Sequence, residues 1–325
     1  MKNKVGTMIP SAKEVEHARE LLSRYFRPTR LVLAESLAQR SGARVHLKIE
    51  SDLPTGSFKP RGALNALLTT AAHQPVSGVV AASTGNHGAA VAYAARIANV
   101  GATIFLPENP NPVKRARIAA LGAKIFERGD MGGSKASEGA AEFARTHGHY
   151  FLDDASDSLV PVGTATIASE ILDGIPMPDV IFVPMGDTAL IRGVAAEAKS
   201  RHPGVRIVGV QPEQAPAYVR AWQQGRVVST DACNTIADGL ASLHPLEANV
   251  LAIRELVDEV RLVSESELLD AIRILLLDEH VVTEASGAAA TAAFLQDPTA
   301  YPDAEIVLLV TGANVSAEVL RRAVT

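Results

Sequence analysis

A lysine at the start of a predicted helix is the residue in this chain best suited to covalent chemistry. Lys59 follows the turn Pro54-Thr55-Gly56, and the apolar spacing of residues 62–68 predicts a helix for which Ser57 is the expected N-cap. The helix N-terminus carries a partial positive charge, so an ammonium group in its first turn is electrostatically disfavoured. A neutral amine is the form that Schiff-base chemistry requires. On its own, a lysine at this position is more typical of a solvated helix start than of a catalytic site.

Two further segments lie between a predicted strand and a predicted helix. Ser83-Thr84-Gly85-Asn86-His87-Gly88 follows the apolar run 79–82, and Gly186-Asp187-Thr188-Ala189 follows the apolar run 180–184. In such a turn the free N–H groups of the helix N-terminus converge on one point, which suits an anion. Glycine turns of this kind also occur for purely steric reasons, and His87 alone also fits a helix-start residue whose ring bonds to backbone.

The elements that position these segments alternate between strand and helix. Short apolar strands are predicted at 79–82, 103–106, 124–126, 180–184, 206–210 and 306–310. This alternation indicates βαβ units, and the two series predict an α/β fold with two open parallel sheets, helices on both faces and two domains. Residues 44–50 alternate Val45, Leu47 and Ile49 with charged or polar residues, which predicts a strand whose polar side chains face solvent.

Composition restricts the class of protein. The chain has 325 residues, of which 47 % are hydrophobic and 4 % aromatic, as expected for a large α/β protein. A net charge of −5, with both signs mixed, leaves no basic surface for nucleic acid or a membrane. No apolar run reaches membrane-spanning length and the first ten residues lack a secretory apolar core, so a cytoplasmic protein is expected. Cys233 is the single cysteine, which excludes an intrachain disulfide.

Several segments, in chain order, resemble those of the pyridoxal-phosphate (PLP) enzymes of the threonine dehydratase and serine racemase group, known as fold type II. They are SFKPRGA at 57–63, STGNHG at 83–88, GDTALIRG at 186–193, TIADG at 235–239, TEASGA at 283–288 and TGAN at 311–314. The similarity covers almost the whole chain. Two departures are Arg30, where relatives have a proline, and Gly186-Asp187-Thr188-Ala189, where relatives have four consecutive glycines.

The resemblance implies which residues bind cofactor and substrate. The residues expected to bind PLP are Phe58, Lys59, Asn86, Gly186, Asp187, Thr188, Ala189, Leu190, Glu284 and Thr311. The residues expected around the substrate carboxylate are Ser83, Thr84, Gly85, Asn86 and His87. The 186–190 backbone is expected to bind the cofactor phosphate, with the Asp187 carboxylate turned away to cap the following helix. Asn86 and Glu284 are expected beside the ring oxygen, and Thr311 at the ring nitrogen.

The implied activity is the α,β-elimination of a β-hydroxy amino acid, such as L-threonine or L-serine, to a 2-oxo acid and ammonia. Lys59 is the expected catalytic base. A neutral hydroxyl at Thr311 lets the pyridine nitrogen lose its proton, which favours rapid expulsion of a β-substituent over transamination. One alternative is an amino-acid racemase in which the Thr84 hydroxyl serves as the second catalytic group. An alternative of another class is a non-catalytic α/β protein that binds a nucleotide or another anion.

The resemblance also bears on metals, domains and assembly. Gln211 and Ala217 stand where relatives with a divalent-cation site carry acidic residues, so no such metal site is expected. A small domain at 57–149 is expected inside a larger one formed by 1–56 and 150–325. A homodimer acting on a small amino acid is expected, and the end of the chain at Thr325 leads us to expect no appended regulatory domain.

Overall fold

A computed structural model describes residues 8–83, 85–108, 110–128 and 134–325, without the side chains of residues 134 and 135. Within these ranges the strands are β1 Leu31–Leu33, β2 Arg44–Ile49, β3 Gly78–Ala82, β4 Gly101–Leu106, β5 Lys124–Glu127, β6 Tyr150–Phe151, β7 Val180–Pro184, β8 Arg206–Pro212, β9 Glu259–Val263 and β10 Glu305–Val310. The α-helices are α1 Ala12–Leu22, α2 Glu35–Ser41, α3 Lys59–His73, α4 Asn86–Ala98, α5 Pro112–Ala120, α6 Ser134–His147, α7 Leu159–Gly174, α8 Ala189–Arg201, α9 Ala217–Gln224, α10 Glu247–Leu256, α11 Glu265–Leu277, α12 Ala285–Leu295 and α13 Ala317–Val324. No helix among the described residues is long and apolar enough to cross a membrane.

The larger sheet has six strands in the order β1-β2-β10-β7-β8-β9. Neighbouring strands run parallel, except for β1 and β2, which pair antiparallel. Strand β7 is buried along its whole length, as expected for a strand with helices on both faces of its sheet. Because β10 lies between β2 and β7, the last strand of the chain joins the segment before Lys59 to the segment before Gly186.

The smaller sheet has four parallel strands in the order β5-β4-β3-β6, all of them from residues 78–151. Helices α4, α5 and α6 follow β3, β4 and β5 in turn, which gives the predicted βαβ units. The α/β fold with two sheets is thereby confirmed. Domain boundaries at residues 57 and 149 stay a prediction.

Small side chains bring one helix close to the larger sheet. Helix α12 consists mainly of alanine, glycine and serine, and its first ten residues are buried. It packs against β7, β8 and β10. Because Glu284 immediately precedes α12, this close packing places its carboxylate beside the carboxyl end of β10, where the Glu284 N–H donates to the Gly312 carbonyl at 3.0 Å.

The predicted solvent face of β2 is wrong. Lys48 is 1 % exposed, and Glu50, just after the strand, is 0 % exposed. Lys48 Nζ lies 2.5 Å from a Glu170 oxygen of α7, and Arg61 Nε of α3 lies 2.7 Å from a Glu50 oxygen. The charges tolerate burial because each one has a partner of opposite sign, a pairing that alternation along the strand does not reveal.

Candidate active site

A cavity of about 330 Å³ lies at the carboxyl ends of strands from both sheets. Its lining includes residues that follow β3, β6, β7 and β10, the edge at which open parallel sheets bind ligands. Of the residues proposed from the sequence, those lining it are Phe58, Lys59, Ser83, Asn86, His87, Gly186, Asp187, Thr188, Ala189, Leu190, Glu284 and Thr311. Gly85 is buried in the turn after β3, and Thr84 lies outside the described residues.

Lys59 is the first residue of α3, and its side chain reaches the cavity. Its Nζ contacts Asp154 Oδ2 and lies 5.2 Å from the centroid of the Phe58 ring. The predicted N-cap role of Ser57 is wrong, because Ser57 forms an antiparallel bridge with Gly312 and Phe58 holds the N-cap position. The Phe58 N–H also donates to the Thr311 carbonyl at 3.0 Å. The start of α3 is therefore attached by backbone bonds to the end of β10.

Asp154 is a site residue that the sequence reasoning missed. It follows β6, and its Oδ2 lies 3.8 Å from His87 Nδ1 in addition to contacting Lys59. Burial opposes ionisation of Asp154, but the charges of His87 and Lys59 outweigh it and hold the pKa of this carboxyl below its usual range. The available signal was the acidic pair Asp153-Asp154 directly after a short strand.

The segment after β3 leads into helix α4, as the sequence predicts. Ser83 Oγ accepts hydrogen bonds from the N–H groups of Gly85 and Gly88, both at 2.8 Å. Gly85 has φ +153°, and a Cβ at this position would clash with the Lys114 side chain. His87 Nε2 bonds to the Leu152 carbonyl at 2.9 Å, so the backbone partner considered for this ring is present. Its other ring nitrogen remains directed toward Asp154.

A buried polar network holds the Asn86 side chain against the cavity wall. Asn86 Nδ2 donates to Glu284 Oε1 at 2.6 Å, and its Oδ1 accepts from Asn314 Nδ2 at 2.8 Å. Lys114 Nζ lies 2.6 Å from Asp238 Oδ1 and 2.9 Å from Glu284 Oε2. Burial opposes protonation of Lys114, but the two carboxylates outweigh it and raise its pKa. Sequence reasoning missed Lys114, although a lysine in the first turn of a helix after Pro112 was visible there.

The loop between β7 and α8 meets the requirements of an anion site. Thr188 holds the N-cap position of α8 with φ 70°, and no side-chain hydrogen bond caps the helix among the described residues. A Cβ on Gly186 would come within 2.8 Å of the Gly239 carbonyl oxygen, so a larger residue would displace the loop. The N–H groups of Ala189 and Leu190 therefore begin α8 beside the cavity without a side-chain acceptor.

The predicted capping role of Asp187 is wrong. Its Oδ1 accepts a hydrogen bond from Ser242 Oγ at 2.6 Å, and the residue lines the cavity. Burial raises the pKa of Asp187 to about 6, and the negative charge of Asp154 acts in the same direction. Ser242 carried no signal that would have identified it as the partner, since the two residues are brought together only by tertiary packing.

Thr311 ends β10 and presents a neutral hydroxyl to the cavity. Its Oγ1 donates to the Ser286 carbonyl at 3.4 Å, while Ser286 Oγ accepts from the Gly239 N–H at 3.0 Å. The TIADG and TEASGA segments therefore meet at this wall of the cavity. Together the cavity offers a primary amine, a neutral hydroxyl and an uncapped helix N-terminus, which fits a flat cofactor bearing an aldehyde and a phosphate.

Comparison with known proteins agrees with this arrangement. The family model described as pyridoxal-phosphate dependent enzyme matches residues 22–312. L-threonine ammonia-lyase of Thermotoga maritima is 33 % identical over 310 residues, which are 95 % of this chain and 77 % of that protein. The catabolic L-threonine dehydratase TdcB of Staphylococcus aureus is 33 % identical over 311 residues, covering 94 % and 90 % of the two chains.

Solved structures show the same likeness. Maize serine racemase superposes with a TM-score of 0.90 at 28 % identity, covering 97 % of each chain. The T.th. threonine deaminase superposes with a TM-score of 0.88 at 33 % identity, covering 94 % of this chain and 99 % of that one. The chain therefore belongs to the pyridoxal-phosphate dependent enzymes, as a lyase of the threonine dehydratase and serine racemase group.

Proposed function

We propose that this lyase converts a β-hydroxy amino acid of the threonine or serine type into a 2-oxo acid and ammonia. The observation that carries the proposal is the position of Lys59, whose amine lines the same cavity as the uncapped N-terminus of α8 and contacts Asp154. Relatives named L-threonine ammonia-lyase and L-threonine dehydratase support this substrate class.

The cofactor gives this cavity its electron-withdrawing chemistry. When bound, PLP supplies a ring that withdraws the electron pair left on Cα after the proton is removed. Lys59 would hold it covalently, Asn86 and Glu284 would lie beside its ring oxygen, and Thr311 would face its ring nitrogen. The N–H groups at 186–190 would hold its phosphate, and Phe58, beside Lys59, would line the ring.

The turn after β3 is the proposed site of the substrate carboxylate. Ser83, Gly85, Asn86 and His87 stand at the N-terminus of α4, where the helix dipole favours an anion. Ser83 Oγ accepts from the Gly85 and Gly88 N–H groups, which leaves the N–H groups of Asn86 and His87 as the proposed donors. Thr84, which lies between Ser83 and Gly85 in the sequence, is included in the proposal on the sequence alone. Binding the carboxylate here orients the substrate amino acid relative to Lys59.

Lys59 is the proposed base for the Cα proton. Once the substrate amino group has replaced it at the cofactor, the free Lys59 amine takes the proton, and the Asp154 carboxylate in contact with Nζ stabilises the ammonium that forms. The electron pair of the broken Cα–H bond becomes the Cα–Cβ double bond as the β-hydroxyl leaves, with a proton, as water. Water then hydrolyses the resulting enamine, so the net change is conversion of the amino acid to a 2-oxo acid and ammonia.

A screen for 2-oxo acid and ammonia tests this proposal. PLP-loaded enzyme is incubated with both enantiomers of serine and all four stereoisomers of threonine, and both products are quantified. We expect equimolar 2-oxo acid and ammonia from L-serine, L-threonine or a closely related β-hydroxy amino acid. Absence of both products from every substrate, with the cofactor absorbance present, would contradict the proposal.

Racemisation is a second candidate, favoured by the structural likeness to maize serine racemase. A racemase needs proton donors on both faces of the planar carbanion, and Lys59 serves only one. If the Thr84 hydroxyl serves the other, L-serine should yield D-serine and Thr84→Ala should stop this while elimination continues. We propose that elimination dominates. Chiral analysis of recovered serine after partial turnover would reverse this ranking if D-serine formed faster than pyruvate.

The assembly and the compartment complete the proposal. We propose that the enzyme works as a homodimer, as the resemblance to the family implies, and in the cytoplasm, as the sequence predicts. Analytical ultracentrifugation of the PLP-loaded enzyme tests the first statement, and fractionation of the source cells tests the second. A monomer that retains full activity would contradict the first.

A further inference from the structure

The loop proposed for the cofactor phosphate brings a carboxylate into the cavity. Asp187 stands between Gly186 and Thr188, at the turn that leads into α8. One of its oxygens accepts a hydrogen bond from Ser242 Oγ at 2.6 Å. Among the described residues, no lysine, arginine or histidine forms a salt bridge with Asp187, so its negative charge is not neutralised by a direct partner.

Several charged and titratable groups surround Asp187, and the cations among them bond to other partners. They are Lys59 on α3, Asp153 and Asp154 after β6, Arg192 on α8 and Tyr218 on α9. Lys59 contacts Asp154. Arg192 donates to the carbonyls of Met8 at 3.0 Å and Ala155 at 3.2 Å, and to Thr188 Oγ1 at 3.1 Å. None of these cations is therefore placed to neutralise Asp187 when a phosphate arrives.

We propose that Asp187 binds the cofactor phosphate as a neutral carboxylic acid, with its O–H donating to a phosphate oxygen and Ser242 Oγ donating to its other oxygen. The inference rests on the proposed function, which places the phosphate at residues 186–190. An ionised Asp187 and a phosphate dianion at one loop would repel each other, and a single shared proton removes that repulsion.

The proton affinities of the two groups make this sharing possible. Burial raises the pKa of Asp187 to about 6, close to the second pKa of a phosphate monoester, about 6. Above this pH the separated enzyme and ligand are both ionised, whereas the complex retains one proton at their contact. Binding therefore takes up a proton, and affinity should fall by as much as about tenfold per pH unit above pH 7.

Pyridoxine 5′-phosphate is the probe that isolates this effect. It carries the phosphate but lacks the aldehyde, so it does not react with Lys59 and its binding involves no covalent step. Calorimetric titration of enzyme freed of PLP, in buffers of different ionisation enthalpy, counts the protons taken up. At pH 8 we expect wild-type enzyme to take up nearly one proton more than Asp187→Asn, whose amide is a permanent neutral donor.

Affinity measurements across pH give a second readout. Asp187→Asn should bind pyridoxine 5′-phosphate more tightly than wild type at pH 8, by at least about tenfold, and the two should converge toward pH 6. Ser242→Ala removes the hydrogen bond that favours the ionised carboxylate, so it should move the onset of the pH dependence to higher pH. Asp153→Asn, a matched aspartate in the same cavity, should retain the wild-type proton count.

Two outcomes would overturn the inference, and Gly186→Val separates them. This side chain meets the Gly239 carbonyl and should abolish binding of pyridoxine 5′-phosphate if the loop holds the phosphate. Normal binding by folded Gly186→Val would refute the phosphate site together with the inference. Loss of binding there, combined with equal proton uptake by wild type and Asp187→Asn, would refute only the role of Asp187. Circular dichroism verifies the fold of each variant.

Discussion

Arg61 and Lys59 lie two residues apart in the first turn of α3, yet they occupy opposite kinds of environment. Arg61 is 1 % exposed and pairs with two carboxylates, Glu50 at 2.7 Å and Glu170 at 2.6 Å. A third partner, Thr166 Oγ1, lies 3.1 Å from its Nη1. The guanidinium is surrounded by fixed partners, so it is occupied entirely with holding α3, α7 and the end of β2 together.

Lys59, in contrast, pairs with one carboxylate among the described residues and faces an open cavity on its other side. Its side chain is 17 % exposed, and its ammonium contacts Asp154. In a fully paired buried ionic cluster, every charged group already has a protein partner, so none is available to bind a ligand. In a partly paired cluster that borders a cavity, a charged group can give up its protein partner and bind a ligand instead. The comparison shows that completeness of pairing, rather than burial alone, separates the structural cation from the chemical one.

Removal of Lys59 should give the largest effect on activity. Lys59→Ala removes both the proposed covalent attachment and the proposed base, so turnover should fall by at least about 100-fold, the lower limit for a general base. The loss of stability should be smaller than for removal of Arg61, because Asp154 keeps His87 as a neighbour and borders the open cavity. The measurements are 2-oxo acid release, the visible absorbance of bound PLP and thermal unfolding. Lys199→Ala, a surface lysine paired with Asp258, is the matched control, and near-normal turnover of Lys59→Ala would break the comparison.

Removal of Arg61 should affect stability instead. Arg61→Met leaves Glu50 and Glu170 buried with fewer partners, which should lower the free energy of unfolding by about 3–5 kcal/mol. Arg19→Met is the matched control, because Arg19 pairs with Asp173 at the surface, and it should cost at most about 1 kcal/mol. Denaturant titrations measure both. Equal decreases in the free energy of unfolding of the two variants would show that the complete pairing of Arg61 does not add to stability.

Local sequence pattern was sufficient to predict the buried strands and the residues that follow them. The sequence predicts strand β7 with its observed bounds and β10 within one residue, because short apolar runs between turns identify buried parallel strands. Residues at the carboxyl ends of those strands, such as Gly186 after β7 and Thr311 after β10, follow from the same pattern. The candidate residues on these loops could therefore be expected at one edge of the fold.

Pairings between distant segments could not be predicted. Lys59 and Asp154 are 95 residues apart and lie in segments joined only by tertiary packing. The same holds for Asp187 and Ser242, 55 residues apart, so the sequence offered helix capping as the nearest local use for that carboxylate. The prediction that the polar side chains of this segment face solvent failed for the same reason, since the partners of Lys48 and Glu50 come from α7 and α3.

A smaller effect is expected from Asp187 in the enzyme freed of PLP. Its folded-state pKa of about 6 exceeds the ordinary value of 3.8 for an aspartate in an unfolded chain, so the folded state binds more protons between pH 4 and 6. Stability due to this group is therefore present at low pH and lost as pH rises through 6. Asp187→Asn should raise the free energy of unfolding by about 1–2 kcal/mol at pH 8, after a discount for solvent in the cavity.

Measuring the stability difference between wild type and Asp187→Asn at pH 4 and at pH 8 separates the effect of charge from the effect of packing. At pH 4 both folded forms are neutral at this position, so wild type and Asp187→Asn should differ little in stability. The gain should develop between pH 4 and pH 6 and stay constant above pH 6, where wild-type Asp187 is ionised and no cation among the described residues pairs with it. A gain of equal size at pH 4 and pH 8 would show that the substitution acts through packing and would contradict an incompletely paired carboxylate in the cavity.

Removal of metal ions by a chelator should have the smallest effect on activity. The carboxylates around Lys59 and Arg61 are paired with these lysine and arginine side chains rather than with a metal ion. In the part of the chain that the structure describes, no group of three or more His, Cys, Asp or Glu residues is arranged to hold a metal ion. Gln211 is fully buried and its Oε1 accepts a hydrogen bond from the Val219 N–H at 2.8 Å, so its oxygen already has a backbone partner, and Ala217 offers none. We therefore expect EDTA to leave 2-oxo acid release by the PLP-loaded enzyme within error of the untreated value. If EDTA inactivated the enzyme and magnesium or calcium restored activity, a hard cation would be supplying positive charge that we attribute to lysine and arginine side chains.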